Sequence, residues 1–282
     1  MGYVYLIIQA VMFSFGGILI KLAGQTFSPF MTSFLRFAIG ILFLRCLLLV
    51  RGRRAGRLSL NRIIIFGGLM KALHYLGENY GVEKGFSYGN IVIWPVQTVV
   101  VLLVSVFVFH EKVKIKAIAG AVFCILGIGL ISWNGAPTGS FMEGQGHLLP
   151  AFIAAGAGAA LFSVCQKRLL GEMGTVEMNM SMFFIGGLAA ACTIPPTGAP
   201  AESIRLSAVL AVLALGAITG LGFLLQAEAF RTVPVFTATI IQSSTVLLSL
   251  LWATLLWKET ITVHIILGTA LFLFGILLAN LF

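Results

Sequence analysis

The sequence predicts an all-α polytopic membrane protein with ten transmembrane helices, arranged as two inverted five-helix repeats. Three observations lead to this fold class. Apolar residues make up 59% of the 282 residues and charged residues only 10%, whereas soluble domains carry about 25% charged residues. The apolar residues fall into runs long enough to cross a bilayer. Finally, a spaced pattern of residues in the first half of the chain recurs in the second half.

Short polar segments divide the sequence into ten runs of about 20 mostly apolar residues, and each run is long enough for a membrane-spanning helix. Most connections between them are short. The longest connection, residues 134–147, is rich in Gly and Pro and separates two five-helix repeats, 1–133 and 148–282. The predicted spans are 3–23, 29–50, 61–81, 88–110, 113–133, 148–170, 176–194, 206–230, 234–257 and 260–282.

Lys and Arg are distributed unevenly between the two sides of these spans. If the N-terminus is inside, twelve of the 18 basic residues lie on the inner side and four on the outer side, and Arg36 and Lys71 lie within spans. The run from Arg51 to Arg57 contributes most to this bias. Positively charged loops are retained in the cytoplasm. We therefore expect a multi-pass protein of the cell membrane (inner or plasma membrane), with both termini cytoplasmic.

The acidic residues and cysteines argue against several kinds of site. All nine acidic residues are Glu, which rules out Asp-based metal or phosphate motifs and Ser-His-Asp triads. The four cysteines lie far apart within apolar runs, without the spacing of a zinc site or a disulfide framework. We therefore expect no metal, no cofactor, no nucleic-acid partner and no enzymatic activity. The expected partners are a small-molecule substrate and membrane lipid, and the oligomeric state stays open.

The repeat is clearest at the end of each half. Five spans per repeat is an odd number, so the second copy must enter the membrane from the opposite side. Inverted repeats are typical of secondary transporters, which bind substrate near the midplane where the repeats meet. The matching residues differ by 148 positions: Glu111, Gly120 and Gly127 correspond to Glu259, Gly268 and Gly275.

These residues also carry a family resemblance. Pro95 with Glu111, Gly120 and Gly127, their second-half counterparts, and the S-P-x-x-x-x-x-L-R segment from Ser28 to Arg36 resemble the EamA-type branch of the drug/metabolite transporter superfamily. The resemblance covers nearly the whole chain. It implies a ten-helix carrier with cytoplasmic termini that exports amino acids or other small metabolites, and aromatic amino-acid exporters are among the similar proteins.

The second half departs from this pattern at two positions. Ser243 stands at the position that matches Pro95, and Phe183 at the one that matches Arg36. The motifs are specific to the fold and not to a substrate.

Ionisable residues concentrate in the third span. Lys71, His74, Tyr75 and Glu78 fall within an arc of about 100° on one helix face, and such groups inside a membrane usually serve function. We predict that these four side chains line the substrate path. Arg36 lies at a depth close to that of Glu78, so the two could form an ion pair. Whether that pair is purely architectural or part of the pathway stays open.

Polar and aromatic residues of the fourth and ninth spans complete the predicted site. Trp94 and Gln97 are expected to contact substrate, and Pro95 to kink the helix between them. Gln242 and Ser243 occupy an equivalent depth in the ninth span, where they could bind substrate or join helices.

Three polar residues are expected to have structural roles. Gln226 matches Glu78 in the repeat and is expected to be a gating or structural residue. Glu111 and Glu259 close spans on opposite sides of the membrane, and we expect them to cap helix starts.

The sequence therefore predicts a secondary transporter that exports small metabolites, such as amino acids or similar amphipathic compounds, by alternating access. One alternative is a multidrug, nucleobase or other metabolite permease of the same fold. A pore or channel is another alternative. A membrane-embedded lipid-modifying enzyme is less favoured, because the chain lacks metal-binding carboxylate motifs.

Overall fold

The computed structural model describes residues 1–50, 52, 58–108, 115–135, 146–195 and 204–280, and the regular structure in these ranges is entirely helical. Every predicted span corresponds to a helix or to two successive helices, so the predicted fold class is confirmed. The α-helices are α1 (Gly2–Ser14), α2 (Gly16–Ala23), α3 (Pro29–Val50), α4 (Arg62–Lys84), α5 (Ile93–Phe107), α6 (Ile115–Trp133), α7 (Leu149–Leu169), α8 (Thr175–Ala191), α9 (Leu206–Ala229), α10 (Val235–Gln242), α11 (Thr245–Trp257) and α12 (Val263–Asn280).

Within the described residues, five stretches are long and apolar enough to cross a membrane by length and composition. The third predicted span, α4, is not among them because it carries the buried ionisable residues. Several sequence-based predictions lie outside the described residues: Glu111, Lys112, Lys114, the Arg51, Arg53, Arg54 and Arg57 cluster, and most of the linker between the repeats.

Three of the predicted spans are interrupted. The first span breaks at Phe15, between α1 and α2, and the ninth breaks at Ser243 and Ser244, between α10 and α11. The fourth begins as a 3-10 helix, Ser87–Val92, and changes to α-helix at Ile93. Pro95 lies in the first turn of α5, where an N–H has no partner within the helix in any case. The interruption thus precedes Pro95 and does not arise from a kink there.

Equivalent helices of the two halves run in opposite directions. Lys21, near the end of α2, donates a hydrogen bond to the carbonyl of Gly85, which follows α4. The amide of Arg205, which precedes α9, donates to the hydroxyl of Thr26 at 3.2 Å. The end of α4 and the start of its repeat equivalent α9 therefore lie at the same end of the bundle as the end of α2. We call this end the opposite face. The other end, where α1 begins, is called the N-terminal face.

The packing contacts between helices also correspond in the two halves. Helix α4 packs along α7, and its equivalent α9 packs along α1 and α2, which are equivalent to α7. Helix α3 packs against α9, and its equivalent α8 packs against α4. The halves are therefore interleaved through reciprocal contacts, which bury α4 and α9 at the centre of the bundle.

Helices α6 and α12 form the most extensive helix pair, and their glycines allow the backbones to approach closely. A Cβ atom at Gly268 would lie 2.8 Å from the carbonyl oxygen of Gly127 and 2.7 Å from a side-chain carbon of Ile131. A Cβ atom at Gly275 would lie 2.6 Å from the carbonyl oxygen of Gly120. The repeated glycines noted in the sequence thus serve helix packing, as small residues commonly do in membranes.

We predict that Gly268→Ala lowers the melting temperature of the purified protein, because overpacking typically costs about 1–3 kcal/mol. Gly129→Ala is the matched control, since a Cβ at Gly129 meets nothing within 4 Å and alanine favours helix over glycine. Thermal unfolding in detergent compares the two variants with the parent protein. Equal melting temperatures for both variants would contradict close packing of α6 on α12.

Candidate substrate-binding site

The four predicted polar residues of α4 are buried on the side that meets α3, α7 and α9. Lys71 and Tyr75 are no more than 1% exposed, and His74 and Glu78 no more than 9%. Asn61 caps the start of the helix, since its side-chain oxygen accepts from the amide of Ile64 at 2.8 Å. Because the neighbouring helices cover this face, protein groups must satisfy its charges.

An ion pair joins α3 to α4 at the centre of the bundle. Arg36 Nη1 lies 2.8 Å from Glu78 Oε2 and donates to Asn79 Oδ1, also at 2.8 Å. Asn79 in turn donates to the hydroxyl of Ser33 at 2.7 Å, and Asn90 approaches the other carboxylate oxygen of Glu78 at 3.4 Å. The Arg36–Glu78 pair expected from the sequence is therefore present and belongs to a larger polar network.

Tyr75 separates Arg36 from Lys71. The guanidinium carbon of Arg36 lies 3.6 Å from the centre of the Tyr75 ring, and Lys71 Nζ lies 4.1 Å from the same centre. Lys71 Nζ also lies 3.4 Å from the Phe223 ring centre and 5.0 Å from that of Phe162. Cation–π contacts of this kind stabilise a desolvated cation, so an aromatic cage holds the Lys71 side chain.

His74 connects Lys71 to the ion pair. Lys71 Nζ lies 2.8 Å from His74 Nδ1, and His74 Nε2 lies 3.8 Å from Glu78 Oε2. A charged ammonium is only a donor, so Nδ1 accepts when Lys71 is protonated. The imidazole then carries its proton on Nε2, which faces the Glu78 carboxylate. Lys71, His74, Glu78 and Arg36 thus form one continuous chain of polar groups.

A cavity lies beside this chain, between α4, α5, α9 and the α1–α2 junction. The space open to the centre of a water-sized sphere is about 30 Å³, enough for water, which needs roughly 10–15 Å³, but not for a metabolite. A larger ligand would therefore require the surrounding helices to separate. The cavity is lined by Phe13, Gly16, Arg36, His74, Tyr75, Glu78, Asn90, Ile93, Trp94, Gln97, Leu215, Ile218 and Phe223.

The predicted site residues divide into two groups in the structure. His74, Tyr75, Glu78, Trp94 and Gln97 line the cavity together with Arg36. The remaining predicted residues lie away from its walls: Lys71, Pro95, Gln226, Gln242 and Ser243. Lys71 lies behind the wall, in contact with the lining residues His74, Tyr75 and Phe223. The hydroxyl of Ser243 donates to the carbonyl of Thr239 in the preceding turn at 2.7 Å.

Gln226 and Gln242 belong to a buried network of neutral amides. The side-chain oxygen of Gln226 accepts from Gln9 at 2.7 Å and from Gln242 at 3.0 Å. Its nitrogen donates to Gln166 at 2.9 Å and to Ser163 at 3.0 Å. The network joins α1 of the first half to α7, α9 and α10 of the second. Gln226 thus occupies in its half the place that Glu78 has in the other, with amides in place of charges.

Sequence reasoning missed several cavity residues, all but one of them apolar. Phe223 matches Tyr75 at the repeat offset of 148, and the two rings lie 6.3 Å apart, so the repeat contained a signal for it. Phe13 lies 6.4 Å from Trp94 between ring centres, but nothing distinguishes it from other apolar residues in the sequence. Asn90 lay close to a predicted span boundary, where a polar residue is ordinary.

Glu259 caps a helix start, but in the other half of the chain. Its carboxylate accepts from the amide of Ser87 at 2.9 and 3.1 Å and from the Ser87 hydroxyl at 2.9 Å. Ser87 begins the 3-10 helix that leads into α5. At the same point α2 approaches closely, since a Cβ atom at Gly17 would overlap the Ser87 carbonyl. The Glu259–Ser87 contacts join the two halves near the opposite face.

We predict that Arg36→Met and Glu78→Gln each lower the stability strongly, by about 3–5 kcal/mol, because each leaves a buried charge without its partner. The double variant should lose less than the sum of the two single variants. Thermal unfolding of all three variants in detergent tests this coupling.

The surface pair of Arg168 and Glu172, 3.1 Å apart and exposed, is the control for this cycle. Arg168→Met and Glu172→Gln should each change stability by no more than about 1 kcal/mol. If Glu78→Gln proved as mild as Glu172→Gln, the central ion pair would not hold α3 to α4.

Comparison with known proteins agrees with this architecture. A model of the EamA-like transporter family matches residues 1–133 and again residues 148–281. An uncharacterized transporter of Clostridium kluyveri is 24% identical over 289 residues, which cover 97% of this chain and 91% of that protein. A crystal structure of another protein superposes with a TM-score of 0.72 over 99% of this chain and 97% of the other, at 18% identity, which shows a shared fold.

The family match covers almost the whole chain, in two segments. Together with the apolar helices, it makes this chain a multi-pass membrane transporter. The protein belongs to the EamA-like transporter family.

Proposed function

We propose that the protein is a secondary transporter that exports amphipathic amino acids, or similar small zwitterionic metabolites, by alternating access between its two halves. The cavity beside the Arg36–Glu78 pair is the proposed substrate site. The observation that carries this proposal is the presence of both charge signs and several aromatic rings in one central cavity.

Polar atoms without partners support binding of a zwitterion. Among the residues that the structure describes, Arg36 Nε and Asn90 Oδ1 are buried side-chain atoms without a hydrogen-bond partner, and both residues line the cavity. Buried polar groups normally have partners. Arg36 Nε is a donor suited to a carboxylate, and Asn90 Oδ1 with Glu78 offers acceptors for an ammonium group.

The apolar wall supports a substrate with a hydrophobic side chain. Phe13, Trp94 and Phe223 present aromatic rings to the cavity, and Leu215 and Ile218 complete the wall from α9. Binding sites for small molecules are commonly apolar with a few well-placed polar groups. Flat aromatic compounds such as nucleobases would fit the same wall, so they belong in any panel of test substrates.

The helix interruptions support movement between the halves. The change from 3-10 to α-helix at Ile93 and the break at Ser243 and Ser244 fall at similar places in repeat-equivalent spans. Interrupted helices in corresponding positions are a feature of transporters with inverted repeats. In the proposed cycle the N-terminal face is cytoplasmic, in the cell membrane, because the sequence predicts most Lys and Arg residues on that side.

Reconstitution into liposomes tests this function. The protein should take up or exchange labelled amino acids, most strongly those with aromatic or large apolar side chains, and counterflow should occur with unlabelled substrate on the other side. Uptake with and without a pH gradient separates proton-coupled from facilitated transport. Flux without counterflow would favour a channel, and preference for nucleobases or lipophilic drugs over amino acids would overturn the substrate assignment.

We predict that Trp94→Ala and His74→Ala each reduce the transport rate about tenfold. Trp94→Ala removes an aromatic contact with the substrate, and His74→Ala removes a polar one, and either contact contributes about 1 kcal/mol to binding. Both variants should still be expressed and elute as folded protein. Trp257→Ala and His264→Ala are matched controls near the opposite face, outside the cavity. Full transport by both cavity variants would remove α4 and α5 from the proposed path.

A further inference from the structure

A second and larger opening, the α3–α8–α9 crevice, lies at the N-terminal face. The space open to the centre of a water-sized sphere is about 550 Å³, far larger than in the central cavity. Its walls come from the last turns of α3 and α9, the first turn of α8 and the start of α1. It is lined by Tyr5, Leu47, Leu48, Gly174, Thr175, Val176, Glu177, Leu221, Leu224, Leu225, Glu228 and Arg231.

The polar side of the crevice carries two carboxylates and one guanidinium. Glu228 accepts from Thr175 Oγ1 at 2.5 Å through one oxygen and from Arg231 Nε at 3.0 Å through the other. The Glu177 carboxylate folds back over Gly174, where a Cβ atom would lie 2.2 Å from its oxygen. With these groups ionised, the described lining residues have a formal charge of −1. The two carboxylates therefore favour a cationic group at this side of the crevice.

The other side of the crevice is apolar and continues into the outer surface of the bundle. Leu47, Leu221 and Leu225 are half-buried in its wall. On the same helix as Leu221, Leu210 is 56% exposed and lies within about 20° of it around the helix axis. In a bilayer, exposed leucines on a spanning helix face acyl chains. An apolar ligand chain in the crevice would therefore lie continuous with the surrounding lipid.

We propose that the crevice binds a phospholipid whose headgroup carries a primary ammonium, such as an ethanolamine phospholipid. The ammonium would lie between Glu177 and Glu228, because its three N–H donors match carboxylate oxygens. Arg231 would contact the phosphate, and one acyl chain would follow the leucine wall. This site is separate from the central cavity and does not depend on which metabolite the cavity transports.

Lipid-dependent stabilisation of the purified full chain tests the proposal. A ligand that binds only the folded state raises the melting temperature in proportion to its occupancy. Ethanolamine phospholipid, added to the protein in detergent, should raise it more than choline phospholipid of the same chains, and anionic glycerol phospholipid should raise it least. Native mass spectrometry should show the same order of retained lipids.

Substitutions of the two crevice carboxylates test whether the lipid stabilises the protein by binding in the crevice. Glu177→Gln combined with Glu228→Gln should weaken ethanolamine phospholipid binding about tenfold, as expected for the loss of charged hydrogen bonds, and abolish the preference over choline. Glu177→Gln alone leaves the Thr175 and Arg231 bonds of Glu228 in place and serves if the double variant does not fold. Glu172→Gln is the control, since Glu172 is an exposed carboxylate at the same face outside the crevice.

Three results would overturn the proposal. Equal stabilisation by the three lipids would show that the crevice does not recognise the headgroup. An unchanged lipid preference in Glu177→Gln and in the double variant would place the lipid site elsewhere. Stabilisation by soluble ethanolamine or amino acids as strong as by the lipid, and lost in the same variants, would identify the crevice as a vestibule for soluble amines.

Discussion

A carboxylate buried within a membrane-spanning helix bundle must find most of its partners within the protein, and the centre of this bundle is organised around that requirement. Glu78 is only 7% exposed, and Arg36 from α3, Asn90 from the fourth span and His74 from the preceding turn surround it. Breaking such a pair is far more costly than forming it is favourable. The pair is therefore better understood as a constraint that fixes α3 against α4 than as a large source of stability.

Burial of this ion pair requires the neighbouring helices to pack closely around α4, and small residues allow that packing. A Cβ atom at Gly77 would lie 2.5 Å from the carbonyl of Ala151, and one at Gly158 would lie 2.5 Å from that of Met70. The alanine- and glycine-rich stretch of α7 can thus lie directly on the backbone of α4. Close backbone approach replaces the hydrophobic effect, which does not drive helices together within lipid. The charged face is sealed as a result, apart from the narrow cavity.

Some parts of this arrangement could be predicted from the sequence, and others could not. Span positions follow from hydropathy, and the shared face of Lys71, His74 and Glu78 follows from helical periodicity, so both were predictable. The break at Phe15 was not predicted, although Gly16 and Gly17 follow it directly, because glycines are common inside membrane-spanning helices and the break depends on how α1 and α2 pack on α9. Nor could the sequence place Lys71 behind His74, since side-chain direction depends on Phe162 and Phe223, which arrive from other helices.

The two halves share a fold but not a charge distribution, and this asymmetry bears on the proposed transport cycle. The charged groups at the cavity, Arg36 and Glu78, belong to the first half, while the second half contributes apolar groups such as Ile218 and Phe223. Its own equivalent of Glu78, Gln226, is fully occupied by three other amides and the Ser163 hydroxyl. A substrate held by charge would then remain with the first half as the apolar surface of the second moves over it. Movement of this wall would break the hydrogen bond between Tyr75 and Thr219 of α9, whose hydroxyls lie 2.7 Å apart. The barrier to exchange would therefore lie at this bond and at the polar contacts that close each face, such as Glu259 with Ser87.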